Sequence, residues 1–296
     1  MEKRSNLYDR PGLINRIAGF AAIILSFTAV IMLIALGAGS ESNGYLGGLN
    51  WIDYIFNWHP IFMVFGLIFC SITAILSYRL IPMSKARTKI MHGIFHTGAV
   101  ICLSLGLYAV AVGNDYRNRN TDDAIYPNLF SLHSFLGLAA LILYSFNYIM
   151  GIGNYLMPVS VTPLSVRRRY MPTHVFIGSF AFFAAVFAAL CGLQELFTEY
   201  DCAPNVTQED SNTSKEYLTL SDGCRLMNCT GLVLFAAAFC AALAFWENHA
   251  HLSRQQSMNS EFKDDLLSND YSARGTGNNN GSSVRSSEIG LASRDP

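Results

Sequence analysis

Charge is scarce in this chain. Asp, Glu, Lys and Arg make up 14% of its 296 residues, against 51% hydrophobic, whereas a soluble domain carries about 25% charge. The deficit points to lipid. A formal net charge of −1 gives no support for a nucleic-acid partner, which calls for a basic face. There is no phosphate-binding glycine loop and no Walker motif, so nucleotide chemistry has no residues to carry it. No internal repeat is readable, which argues against solenoids and propellers. Asp and Glu are missing altogether from the long apolar runs.

Those runs number six, at roughly Ile17–Gly39, Tyr54–Tyr78, Ile90–Gly113, Leu129–Met157, His174–Gln194 and Leu226–Trp246. Each is long enough to cross a bilayer as a helix. The first follows a basic segment and could be confused with a signal peptide. Its apolar run is too long, however, and no small-x-small cleavage site precedes polar sequence. The expected organisation is a cytoplasmic segment 1–16, a six-helix membrane domain 17–247 and a disordered cytoplasmic tail 248–296, poor in large apolar groups. The class is an all-α membrane protein.

Lys and Arg collect in cytoplasmic loops. Here they cluster before the first run (Lys3, Arg4, Arg10, Arg16), between the second and third (Arg79, Lys85, Arg87, Lys89), and between the fourth and fifth (Arg167, Arg168, Arg169). On the other side Arg117 and Arg119 are offset by Asp115, Asp122 and Asp123, and the last loop holds Lys215 and Arg225. Both termini are therefore expected in the cytoplasm. The loop 197–224 agrees, with glycosylation sequons at Asn205 and Asn212 that are used only on the lumenal side. Cys202 lies there with Cys224 and, at the edge, Cys229, so an oxidising lumen allows a disulfide from Cys202 to either. This places the protein in the secretory pathway: endosomal, lysosomal, secretory-vesicle or plasma membrane. In the tail, Asp264-Asp265-Leu266-Leu267 resembles an acidic dileucine signal with imperfect spacing.

Almost the only ionisable side chains inside the runs are histidines. His59 and His133 open the second and fourth runs at one membrane face, and His92 and His174 open the third and fifth at the other. The two levels should be separated by roughly 15–20 Å. A single intramembrane histidine can serve helix packing. Four at paired depths on four helices mark function, and two facing pairs are what two haems need. Bis-histidine haem has no open axial position, so its iron transfers electrons rather than binding oxygen. Zinc is a rival, because His92 and His96 share a helix face. Zinc catalysis, however, wants a third ligand or a carboxylate and an open position, and no Asp or Glu is within reach in the runs. A transporter relaying protons through these histidines would also call for carboxylates, and a scaffold gives no reason for two paired depths.

These residues resemble the cytochrome b-561 family, from about Asn50 to Trp246. The resemblance is carried by Phe56-Asn57-Trp58-His59-Pro60, Met91-His92-Gly93-Ile94-Phe95-His96, Phe130-Ser131-Leu132-His133-Ser134 and Met171-Pro172-Thr173-His174-Val175-Phe176. It implies a bundle of helices two to five holding two haem b groups. Their axial ligands would be His59 with His133 on the outer side and His92 with His174 on the cytoplasmic side, with His96 touching a haem edge or propionate. It implies cytosolic ascorbate as electron donor, bound by Lys85, Lys89 and Arg167, and monodehydroascorbate or ferric iron as outer acceptor. Relatives are often dimers, so a homodimer is among the expected states. Lys85, Lys89 and His92 form one helical stripe, and lysine at a partly desolvated mouth attracts a monoanion. The chain departs from many relatives in having Phe130 for a tyrosine and no histidine around Asp115-Tyr116-Arg117. On the outer side Tyr116, Arg117 and Arg119 are the weaker candidates.

Overall fold

The structure, a computed structural model, describes residues 12–120, 127–200, 202, 205–207 and 217–245. The basic segment ahead of Gly12, Asp122, Asp123, the Asn212 sequon, Lys215 and the tail with its dileucine lie outside the described residues.

Among the described residues, six helices are long and apolar enough to cross a membrane: α1 Leu13–Ala38, α2 Ile55–Leu80, α3 Lys85–Asn120, α4 Leu132–Leu156, α5 Leu164–Glu199 and α6 Asp222–Phe245. Without water in the hydrocarbon, backbone groups must bond within the segment, so each apolar run closes into helix. The all-helical membrane class is as expected. Two boundaries differ from the apolar runs. Helices α3 and α5 each have 36 residues, about 54 Å at 1.5 Å per residue, well beyond a hydrocarbon core of about 30 Å. Their ends are polar and keep helical propensity, so the helix outlasts the apolar pattern. A short ribbon between α5 and α6 was not expected: β1 Asn205–Thr207 pairs antiparallel with β2 Tyr217–Thr219.

Large apolar side chains such as Ile24, Phe146, Phe187 and Phe235 point outward, and small ones point inward. Ala181, Ala184, Ala185 and Ala188 of α5 are buried, as suits close helix packing in lipid. One apolar cluster joins α1, α2, α5 and α6 through Leu33, Ile68, Val186 and Leu234. A second joins α2, α3, α4 and α5 through Leu67, Leu103, Ala140 and Ala184. Helix α2 packs on α3, and α4 packs on α5, while α3 and α4 make few direct contacts. The core therefore consists of two hairpins, α2–α3 and α4–α5, each tighter within itself than across the α3–α4 seam. Helix α2 contains a π segment, Val64–Cys70. There Gly66 lies so close to α3 that a Cβ would fall 2.8 Å from Cys102 Cβ and 3.0 Å from the Ala99 carbonyl.

One end of the molecule is closed by hydrogen bonds. Asn57, 3% exposed, donates from Nδ2 to the carbonyls of Leu46 and Gly48, each at 2.8 Å. The Gly47 amide donates to the Gly39 carbonyl at 2.9 Å, with Gly47 at φ +91°, where a side chain is strained. Cys202 and Cys224 are joined as a disulfide, and Cys229 is free. This is the disulfide end; the opposite, basic end carries Lys85 and Arg167.

Removing the Asn57 amide takes a donor from the buried Leu46 carbonyl and the half-buried Gly48 carbonyl. Asn57→Ala is expected to cost about 2 kcal/mol, read as a lower thermal unfolding midpoint in detergent.

Candidate functional site

Each histidine is delivered by a local rule. His59 is the second residue of the α segment that Trp58 opens in α2, where Pro60 is tolerated because an N-terminal N–H has no helical partner. His133 is the second residue of α4. The N-cap before it is Ser131, whose Oγ accepts from the Ser134 amide at 3.3 Å and donates to Glu195 Oε2 at 3.0 Å. His92 lies two turns into α3. His174 follows the internal Pro172 of α5, which frees a carbonyl one turn back.

The fold brings these histidines together in pairs, one at each end. The His59 and His133 rings are 6.0 Å apart, centroid to centroid, at 89°. Those of His92 and His174 are 6.3 Å apart at 63°. Each pair spans the two hairpins. Gly106, at the level of His59, lies about 21 Å along α3 from His92 at 1.5 Å per residue, and Ala188, at the level of His133, is as far along α5 from His174. The gap slightly exceeds the sequence expectation because His133 stands at its helix end.

Hydrogen bonds settle which nitrogen is bare. His59 Nδ1 donates to the Gly106 carbonyl at 3.0 Å, His92 Nδ1 to Ala74 at 3.1 Å and His133 Nδ1 to Ala188 at 2.7 Å. A carbonyl only accepts, so Nδ1 carries the proton and Nε2 keeps its lone pair. These bonds run within the hairpins: α2 to α3, α3 to α2, and α4 to α5. Gly192 leaves room for one ring, since a Cβ there would fall 2.8 Å from His133 Nδ1. His174 Nδ1 is buried without a partner. Tyr155 and Tyr170 flank its ring at 5.4 and 6.1 Å.

A metal bound at about 2 Å by one nitrogen of each ring sets the ring centres roughly 6 Å apart, so both pairs have the span to hold one. Beside His59 and His133 lies a cavity of about 530 Å³. Its walls are apolar (Val64, Leu67, Leu141, Ala185) with Gly137 among them, and its rim is polar (Asn114, Arg117, Ser131, Glu195, Glu199). Apolar walls with a polar rim suit a flat apolar ring bearing charged edges. No group of three or more His, Cys, Asp or Glu converges on a metal position among the described residues, so the zinc alternative at His92 and His96 lacks its ligand set.

The sequence missed Glu195 and Glu199. They lie past Gln194, where the apolar run ends, but still on α5, and both line the cavity. No acid stands inside the runs themselves; these two carboxylates reach the cavity from the helical extension beyond Gln194. Helical spacing was the available signal, because Glu195 and Glu199 continue the face of Gly192. Arg117 pairs with Glu199 at 2.8 Å and covers the Phe56 ring at 4.4 Å. Tyr116 donates to Asp53 at 3.3 Å, and Arg119 pairs with Asp115.

At the basic end Lys85 is exposed and Lys89 half-buried on the stripe leading to His92. Arg167 has a structural task that the sequence did not reveal. Its Nε donates to the Thr162 carbonyl at 3.0 Å and its Nη2 to Met157 at 2.6 Å, which pins the α4–α5 turn. Arg168 and Arg169 are exposed. The His96 ring stands 4.3 Å from that of His92, and its Nδ1 is 2.6 Å from the Tyr144 hydroxyl.

The family described as Eukaryotic cytochrome b561 matches residues 58–199, which contain all five of these histidines. A transmembrane ascorbate-dependent reductase CYB561 of Mus musculus is 33% identical over 221 residues, 74% of this chain and 81% of that protein. The chain belongs to the cytochrome b561 family. A relative of the same name from Ovis aries is 30% identical over 270 residues, covering 89% of this chain and 96% of its own length. A transmembrane ascorbate ferrireductase 1 of Arabidopsis thaliana is 33% identical over 183 residues, 60% of this chain and 71% of its own. Cytochromes of this family carry b-type haem, and the paired rings and the cavity fit that group.

Gly192→Ala drives a methyl against His133 and is expected to weaken haem retention about ten-fold. Gly98→Ala, with nothing within 4 Å of its added carbon, should retain haem as the parent does. Haem per purified chain after repeated washing checks both.

Proposed function

We propose that this protein carries electrons across a membrane from cytosolic ascorbate to monodehydroascorbate or ferric iron on the far side, using two b-type haems. The observation that carries the reading is the two histidine couples at opposite ends of one bundle, with ring centroids 6.0 and 6.3 Å apart and with Nδ1 of His59, His92 and His133 each bonded to a carbonyl. Bound haem supplies one-electron redox chemistry that side chains lack. His59 with His133 would hold one haem iron and His92 with His174 the other. His59, His92 and His133 are oriented by their carbonyl partners, which raise ring basicity and fix the direction of the nitrogen that would bind the iron.

The basic end faces the cytosol in this reading, and both termini lie there. Lys85 and Lys89 draw the ascorbate monoanion toward His92 by charge. Arg167 adds positive potential and, through its two carbonyl bonds, keeps the turn beside the entrance in place. His96 lies against the same site. The relatives' names supply the donor: ascorbate appears in those from Mus musculus and Arabidopsis thaliana. The far-side acceptor docks at the rim of the disulfide-end cavity. A plasma membrane ascorbate-dependent reductase CYBRD1 of Xenopus laevis, 35% identical over 179 residues, supports the plasma membrane as one candidate location.

His133→Ala is expected to remove one haem and abolish transfer across sealed vesicles, while ascorbate still reduces the remaining haem. Retention of full transfer rejects the assignment. Lys85→Ala combined with Lys89→Ala should raise the ascorbate concentration for half reduction about ten-fold. The contrast should shrink at high salt, since exposed charge is screened over about 10 Å at 0.1 M. An unchanged titration removes these lysines from the entrance. Offering monodehydroascorbate and ferric chelate separately to vesicles loaded with ascorbate identifies the acceptor.

A further inference from the structure

The bond between His96 and Tyr144 joins the two hairpins where α3 and α4 otherwise barely touch. Tyr144 is 7% exposed, and its hydroxyl lies 2.6 Å from His96 Nδ1. A parallel bond joins Thr97 to Tyr148 at 2.8 Å. The His96 ring is packed edge-on against His92 at 4.3 Å. A phenol is the better donor of the two and an imidazole nitrogen the better acceptor. With Tyr144 as the donor, Nδ1 accepts and the ring proton of His96 resides on Nε2. This tautomer is the reverse of the one fixed on His59, His92 and His133.

We infer that Tyr144 is a positioning residue that sets the tautomer of His96, so that His96 offers an N–H, and no lone pair, to the site between His92 and His174. The inference rests on the proposed role of that pair as ligands. It gives a reason why His96, one helical turn from His92, does not compete with it for iron. An N–H dipole held beside a centre that gains an electron stabilises the reduced form, and in a low-dielectric interior that effect is strong.

The test uses full-length protein, with haem counted and the midpoint potential of each centre titrated spectroscopically. Tyr144→Phe deletes one oxygen. It is expected to keep both haems and lower the potential of the His92–His174 centre, so that half reduction needs about a five-fold higher ratio of reduced to oxidised mediator. The other centre should not move. His96→Leu should shift the same centre in the same direction, and adding Tyr144→Phe to it should shift nothing further. Additive shifts, equal movement of both centres or no movement overturn the inference. If Tyr144→Phe fails to retain haem, His96→Gln decides, because its amide oxygen takes the Tyr144 proton while its NH2 still donates. Glutamine near the parental potential with leucine displaced upholds the inference; glutamine and leucine displaced alike overturn it. His92→Ala tests the underlying reading separately: an intact second haem there removes His92 as a ligand whatever Tyr144 does.

Discussion

An imidazole in hydrocarbon has two nitrogens to satisfy and no water to satisfy them. The rest of the site follows from how three of these rings solve that problem. Each gives its Nδ1 proton to a helix carbonyl that already accepts a bond within its own helix. A carbonyl has two lone pairs, so the second bond costs the helix little. The ring is then fixed in orientation and tautomer, and its remaining lone pair has nowhere polar to go except toward the opposite histidine. Leaving three such lone pairs unpaired in lipid would be expensive, which is why the arrangement is hard to account for as packing.

The fold was legible because lipid imposes a simple code. Six apolar runs became six helices, and acid stands only in the polar extensions of those helices: Asp115 of α3, Glu195 and Glu199 of α5 and Asp222 of α6. Boundaries were less legible. Apolarity reports where lipid ends, whereas helix ends depend on propensity and capping, so α3 and α5 ran several turns past the expected limits. That error hid Glu195 and Glu199, two residues that continue an inward face after the hydrophobic signal has stopped. The short ribbon was invisible for a similar reason, since three-residue strands carry no periodicity.

The pairing of histidines was readable from alternation alone, because hairpin connectivity fixes which helix starts share a face. Their second partners were not. Gly106, Ala74 and Ala188 contribute only a backbone oxygen, which no residue type encodes. Gly192 is legible in hindsight as the missing Cβ beside His133. Arg167 shows the reverse ambiguity. Its charge suggested a ligand contact, but the guanidinium also holds two loop carbonyls, and a sequence cannot tell a charge facing an anion from one facing its own backbone.

The division into hairpins has a consequence for how the molecule is made. Each hairpin contributes one ring to each pair: α2–α3 brings His59 and His92, and α4–α5 brings His133 and His174. At about 5–20 residues per second of synthesis, the second ring of either pair emerges roughly 4–16 s after the first. During that interval the first hairpin already has its internal histidine–carbonyl bonds, since both partners lie within it, but neither of its rings has an opposite number. Completion of the two centres thus waits on one later segment, α4–α5, which carries the missing ring of each. A ribosome stalled between α3 and α4 would leave two half-built centres in the bilayer, not one finished and one missing.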